Sequence, residues 1–276
     1  MSDYLRPTGL EEALAALARP HVILAGGTDF YPARVGRAID EDVLDITGIA
    51  GLAGIATTAE GWRIGATTRW SEVIEADLPP LFDGLKRAAH DVGGRQIQNA
   101  GTVAGNLCNA SPAADGVPPL LALDAEVEIA SRRGMRRIAL GAFITGNRRT
   151  VLAPDELMVA ILVPRPQRPT KSAFIKLGAR RYLVISIAMA AATLEIDDGR
   201  IVAARVAVGA CSAVAQRLPA LERELGGARV DPTLVQRVQP THLAPLAPID
   251  DVRGSAAYRQ DAVLTLLRRL LGEFVP

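Results

Sequence analysis

His21-Val22-Ile23-Leu24-Ala25-Gly26-Gly27-Thr28-Asp29 is an apolar run that stops at two glycines. A run too short for a helix and closed by a turn signal predicts a buried strand ending in a tight turn. It has a neighbour on each side. Pro7 to Leu17 reads as an amphipathic helix, with Thr8 as N-cap and Glu11 completing a capping box. Val43-Leu44-Asp45-Ile46 reads as a second short strand. Together they predict a small βαβ-like unit, with Thr28 or Asp29 capping the segment after the glycines.

Working outward, Trp62 to Ala66 alternates like a strand. A helix capped by Thr68 or Ser71 should run through Val73, Ile74 and Ala76, and another from Leu81 to Val92 should stop at Gly93-Gly94. Gln96 to Asp115 fits neither template, apart from Ser111 as a cap with Pro112 at the first helical position. Pro118 to Ala122 reads as a short apolar helix and Ala125 to Ala130 as a half-buried strand. The basic run from Arg132 to Arg137 reads as a solvated turn between strands. Pro164-Arg165-Pro166-Gln167-Arg168-Pro169 is a linker, because proline lacks the backbone donor that helices and central strands need. Beyond it, Ser172 to Leu177 is a strand. Ile185–Ile196 and Ile201–Val208 form a hairpin around Asp197-Asp198-Gly199-Arg200, and residues 256–271 a Leu-rich helix. The fold expected is α+β, with one domain over residues 1–166 and a smaller one, an antiparallel sheet with helices, over 170–276.

Composition narrows the function classes. The chain has 276 residues, 49% of them hydrophobic and 22% charged, enough apolar surface for a proper core. A formal charge of +1 argues against nucleic acid, whose binding rests on neutralising phosphates. Two cysteines, Cys108 and Cys211, and three scattered histidines make no disulfide scaffold, structural zinc site or iron–sulfur cluster. No stretch suits a membrane span, and the N-terminus shows no signal-peptide pattern, so a soluble cytoplasmic protein is expected. Dinucleotide (G-x-G-x-x-G), P-loop, G-x-S-x-G and H-E-x-x-H motifs are all missing.

Two glycine-containing loops remain, Leu24 to Asp29 and Asn99-Ala100-Gly101-Thr102-Val103-Ala104-Gly105-Asn106. Glycine lets backbone approach a ligand, and loop amides can face an anion, so two converging loops suit the phosphates of a dinucleotide. Downstream, Asp115 could accept a sugar hydroxyl or simply face a helix N-terminus.

Ala25 to Asp29, Gln96 to Asn106 and Asn109-Ala110-Ser111-Pro112-Ala113-Ala114-Asp115, in this order, resemble the FAD-binding subunit of the molybdenum hydroxylases. That family includes xanthine dehydrogenases, carbon monoxide dehydrogenase and hydroxybenzoyl-CoA reductase. Lys176-Leu177-Gly178-Ala179-Arg180-Arg181 and Asp251 to Arg259 are similar to its C-terminal flavoprotein domain, so the resemblance spans almost the whole chain.

The resemblance implies a two-part FAD-binding domain of the vanillyl-alcohol-oxidase (PCMH) type over residues 1–166. A carbon monoxide dehydrogenase flavoprotein-like domain would follow over 170–276. It places Ala25, Gly26, Gly27, Thr28 and Asp29 on one side of the flavin's pyrophosphate and ribityl chain, with Ile23 and Leu24 beside the adenosine. Thr102, Val103, Ala104, Gly105 and Asn106 would lie on the other side. Asp115 is expected at a flavin hydroxyl, Leu157 and Met158 at an apolar cofactor contact, and Lys176 and Tyr182 by the flavin ring. Ala104-Gly105 replaces the usual Gly-Gly, which requires negative φ at Ala104. Tyr182-Leu183-Val184 stands where the family often has an acidic residue. The implied role is electron transfer within an oxidoreductase, without a catalytic acid or base or a metal in this chain. Partners would be a ferredoxin-like small subunit with [2Fe-2S] centres and a large molybdopterin-binding subunit, with NAD⁺, oxygen or another acceptor. A self-contained flavin oxidase and a flavin-free structural subunit are the alternatives.

Overall fold

The protein is described from a computed structural model covering residues 2–276. Its first part comprises β1 (Tyr4–Leu5), α1 (Leu10–Ala16), β2 (Val22–Leu24) and β3 (Val43–Asp45). The strands make a parallel sheet in the order β1-β3-β2, with Ile23 opposite Leu44 and Leu24 opposite Asp45. The βαβ-like expectation therefore holds, with an extra edge strand ahead of the helix. The capping box does not form. Gly9 is the N-cap without a side-chain bond, and Glu12 rather than Glu11 accepts from the Thr8 amide. The helix starts one residue later than the box requires, which turns the other glutamate back towards Thr8.

Next come β4 (Ile55–Thr57), β5 (Gly61–Gly65), α2 (Trp70–Glu75), α3 (Asp83–Asp91), α4 (Arg95–Gln98), α5 (Val103–Asn109) and α6 (Val117–Ala122). They are followed by β6 (Glu126–Ser131), β7 (Gly134–Ala139), α7 (Leu140–Phe143), β8 (Ile144–Gly146), β9 (Arg149–Thr150) and β10 (Leu157–Pro164). An antiparallel sheet in the order β4-β5-β10-β6-β7 backs a core built on Ile64, Trp70, Phe82, Leu107, Phe143 and Ile161. The apolar β10 is central because it is hydrogen-bonded on both edges and buried on both faces.

Three local expectations are corrected here. The α2 helix is capped at Arg69, whose amide donates to Glu72, while the hydroxyl of Thr68 donates to the Gly54 carbonyl. Neither Thr28 nor Asp29 caps the turn after the glycines, where a short 3₁₀ segment at Pro32–Arg34 follows Tyr31. Half of the stretch from Gln96 to Asp115 is helical, in α4 and α5, and the rest is turn. Thr102 caps α5 by accepting from the Gly105 amide at 3.0 Å, and Arg69 and Thr102 form a β-bridge that holds the cap in place. Ser111 accepts from Ala113 in a turn, and the next helix begins only at Val117.

The chain then crosses the proline segment into β11 (Thr170–Leu177), β12 (Ala188–Asp197), β13 (Arg200–Gly209), β14 (Gln216–Arg217), α8 (Pro219–Leu225) and α9 (Ala256–Gly272). These strands form one antiparallel sheet in chain order, with α8 and α9 packed on it. The hairpin turn falls at Asp198 (φ 45°) and Gly199 (φ 68°), the left-handed pair a two-residue turn requires. Ser255 caps α9 by accepting from the Tyr258 amide. The architecture is thus the α+β arrangement expected, a two-part domain followed by a smaller antiparallel one. The two are tied by α3 against β11 and by α6 against β12 and β13. Among the described residues no helix is long and apolar enough to cross a membrane.

Candidate functional site

A cavity of about 720 Å³ opens between the parallel sheet and the five-stranded sheet. That is the size of a cofactor site, for which roughly 300–1,000 Å³ is usual. On one wall lie Ile23 and the loop from Ala25 to Phe30, which leaves β2. On the other lie Thr102, Ala104, Gly105 and Asn106 from the start of α5, with Leu157 and Met158 at the start of β10. Most residues expected around the cofactor therefore face one space. Leu24 is buried without lining the cavity, and Val103 turns into the core under the five-stranded sheet.

The loops converge because they touch. A Cβ built on Gly26 would stand 2.1 Å from the Ala100 carbonyl oxygen and 2.7 Å from the Gly101 Cα. Only a residue without a side chain allows the first loop to cross the backbone of the second this closely. Across the gap, the Trp70 side chain is 1% exposed and supports both Gly101 and Gly116 from beneath. Asn106 accepts from the Gly116 amide at 3.2 Å, which anchors α5 to the segment leading into α6.

The electrostatics of the first wall are set by backbone. The amides of Gly26, Gly27, Thr28 and Asp29 have no hydrogen-bond acceptor among the described residues. Unpartnered N–H groups carry partial positive charge and demand an acceptor. On the second wall the Ala104 amide is likewise without an acceptor. Ala104 is helical and 3% exposed, so the methyl that replaces the usual glycine is packed inward without positive φ.

Besides Leu24 and Val103, three more expected residues do not line this cavity. Asp115 and Lys176 pair with one another at 2.8 Å, in the seam between the two domains. The Lys176 ammonium also donates to the Asp91 and Val184 carbonyls, and the Ser186 hydroxyl donates to Asp115 at 2.5 Å. Burial pushes the Asp115 carboxyl up, and Lys176 pulls against that push. Tyr182 is 60% exposed on the following loop, beside the Arg181 guanidinium.

The cavity also recruits residues the sequence did not single out. Phe30 and Arg34 extend the first wall, with the Arg34 guanidinium 3.9 Å from the Phe30 ring centre and bidentate to Glu41. Val92 and Ile97 bring in the α3–α4 corner, and Arg148 comes from the β8–β9 turn. Phe30 was recoverable, since it directly follows the first motif. Arg148 was not, because only tertiary packing carries that turn to the cavity. The Cys108 side chain is exposed into the cavity. Desolvation by the protein packed around the opening pushes its thiol up to about 12.

The profile of the family described as "FAD binding domain in molybdopterin dehydrogenase" matches residues 1–166, more than half of the chain. This chain belongs to that family. A second profile, "CO dehydrogenase flavoprotein C-terminal domain", matches residues 173–274 of this FAD-binding protein. The xanthine dehydrogenase FAD-binding subunit of Escherichia coli O157:H7 is 31% identical over 99% of this chain and 96% of its own length. The nicotine 6-hydroxylase medium subunit of Paenarthrobacter nicotinovorans is 31% identical over 98% of this chain and 96% of its own. Among solved structures, carbon monoxide dehydrogenase from Hydrogenophaga pseudoflava superposes with a TM-score of 0.89 at 27% identity, covering 98% of this chain and 96% of that one. The relatives are oxidoreductase subunits, and this chain is an FAD-binding member of their family.

The cavity's chemistry fits a flavin dinucleotide. It is long enough to involve both sheets, it presents unpartnered amides for anionic oxygens, and it offers apolar side chains such as Ile23, Leu157 and Met158 for the rings. Among the described residues there is no cluster suited to a metal ion.

Proposed function

We propose that this chain is the FAD-binding electron-transfer subunit of a multi-subunit molybdenum hydroxylase. In this reading it takes electrons from [2Fe-2S] centres of a small partner subunit, while a large molybdopterin-binding subunit oxidises the substrate. It passes the electrons to NAD⁺, oxygen or another acceptor. The observation that carries the reading is the convergence of two unpartnered backbone walls on one cavity, in a chain that a medium subunit matches end to end.

When bound, FAD supplies the interconversion between two-electron and one-electron transfer that links such centres. The chain's own residues bind and orient it. The amides of Gly26 to Asp29 and of Ala104 would hold its pyrophosphate, with the Thr102 cap fixing the start of α5. Leu157 and Met158 cover apolar surface and exclude water. Lys176 and Asp115 stand one layer behind the wall, since Lys176 binds the Asp91 carbonyl next to the wall residue Val92. The domain division near the proline segment, at about residues 166–170, belongs to the same reading.

Acid precipitation of the purified protein should leave about one FAD per chain in the supernatant. Colourless protein that binds no added FAD, or protein that carries FMN instead, would overturn the reading.

A further inference from the structure

One charged group at the cavity is assigned no role by its fold or its family profile. Arg148 sits in the turn of the small β8–β9 hairpin, which pairs with no other sheet. Its backbone is held at φ 58°, a left-handed conformation that an arginine adopts only under constraint. The constraint is visible, because the Arg148 amide donates to the Ala110 carbonyl at 2.8 Å, and Ala110 itself sits at φ 48°. This anchors the hairpin to the end of α5 and lays the guanidinium across the cavity. There it donates to the Asn109 side-chain carbonyl and faces the Asp29 carboxylate at 3.7 Å. Asp29 belongs to the first wall and Asn109 is the last residue of α5, so one side chain spans the mouth between them.

The other arginine lining the cavity cannot do this. Arg34 is closed into a bidentate pair with Glu41, and its side chain is only 13% exposed. The Arg148 and Asp29 side chains are 57% and 59% exposed, so their pair can open and close without repacking a core.

We propose that Arg148 is a clasp. By bridging Asp29 and Asn109 it holds the two cavity walls together and slows release of the bound dinucleotide, acting as a positioning residue through Asp29. The proposal rests on the FAD reading above. An exposed ion pair and one charge-assisted hydrogen bond are each modest, so the effect belongs in the release rate rather than in folding.

The test is FAD release from the full-length holoprotein, followed by flavin fluorescence after dilution into a flavin trap. Arg148→Met should release FAD about fivefold faster than wild type, the factor that about 1 kcal/mol corresponds to. Arg148→Gly is the companion variant. Glycine relieves the left-handed backbone, so this protein should melt no earlier than wild type and still release FAD faster. Asp29→Asn should also release faster, and adding it to Arg148→Met should bring no further increase, because both act through one contact. The charge-swapped Asp29→Arg/Arg148→Asp protein should recover part of the loss. Wild-type protein that holds no FAD would sink the reading and the clasp together. Wild type that holds FAD while Arg148→Met and Arg148→Gly release it within twofold of the wild-type rate would sink the clasp alone. Fully additive effects of Asp29→Asn and Arg148→Met would do the same.

Discussion

At the scale of single residues, Gly26 and Cys108 show how a position's chemistry follows from its surroundings. Gly26 is fixed by packing before any ligand arrives, because its missing side chain is the space occupied by the Ala100 carbonyl. Gly26→Ala should therefore separate the two loops, lower stability by about 2 kcal/mol and remove FAD at the same time. Thermal melts and flavin stoichiometry check this, and an alanine variant with wild-type melting and full flavin would contradict it. Cys108 is exposed to the cavity, but desolvation by the surrounding protein pushes its thiol up to about 12. Since the thiolate is the nucleophile, Cys108 should neither link covalently to the flavin nor label quickly with iodoacetamide near neutral pH. Cys211, buried and also pushed up to about 12, gives no competing signal. Rapid labelling of the flavin-free protein at pH 7 would show that water in the cavity outweighs that desolvation.

At the scale of elements, the Asp115–Lys176 pair ties β11 to the segment before α6, and with it one domain to the other. Both side chains are nearly buried, at 7% exposure for Lys176 and 11% for Asp115. Removing one partner leaves the other uncompensated in low dielectric, which typically costs about 3 kcal/mol. Lys176→Met should be destabilised by that order, and Asp115→Asn added to it should recover part of the loss. The sign of the pH dependence follows from the same environment. Burial pushes the Asp115 carboxyl up and Lys176 pulls it down. Without Lys176 the upward push is opposed mainly by the Ser186 hydroxyl alone. A carboxyl whose folded value exceeds its unfolded value stabilises while it is protonated, and that contribution is lost as pH rises through the folded value. The lysine variant should thus lose stability from acid towards neutral pH more steeply than wild type. Urea melts at several pH values measure it, and parallel curves for the two proteins would refute it.

At the scale of the whole molecule, the proposed role makes this chain one part of a larger enzyme, with the cavity between its two sheets as its contribution. The isolated chain should not oxidise a hydroxylase substrate, though with FAD it should pass electrons from NADH to an artificial dye if NAD⁺ is its acceptor. Substrate turnover by metal-free protein would argue for a self-contained oxidase. Much of this molecule was readable in one dimension. The run ending at Gly26-Gly27, the hairpin at Asp198-Gly199, the proline break and α9 follow from local periodicity and turn chemistry, which neighbours in sequence suffice to set. The glycine loops marked most of both cavity walls for the same reason, since backbone that must approach something closely needs glycine wherever the fold carries it. The helices α4 and α5 were hidden, because each is short and their ends are set by tertiary contacts such as the bridge between Thr102 and Arg69. The pairing of Asp115 with Lys176 and the reach of Arg148 to Asp29 were hidden more deeply, for they join residues 61 and 119 positions apart. Such contacts exist only after the sheets have packed, and packing, unlike periodicity, is a property of the assembled core rather than of any stretch of chain.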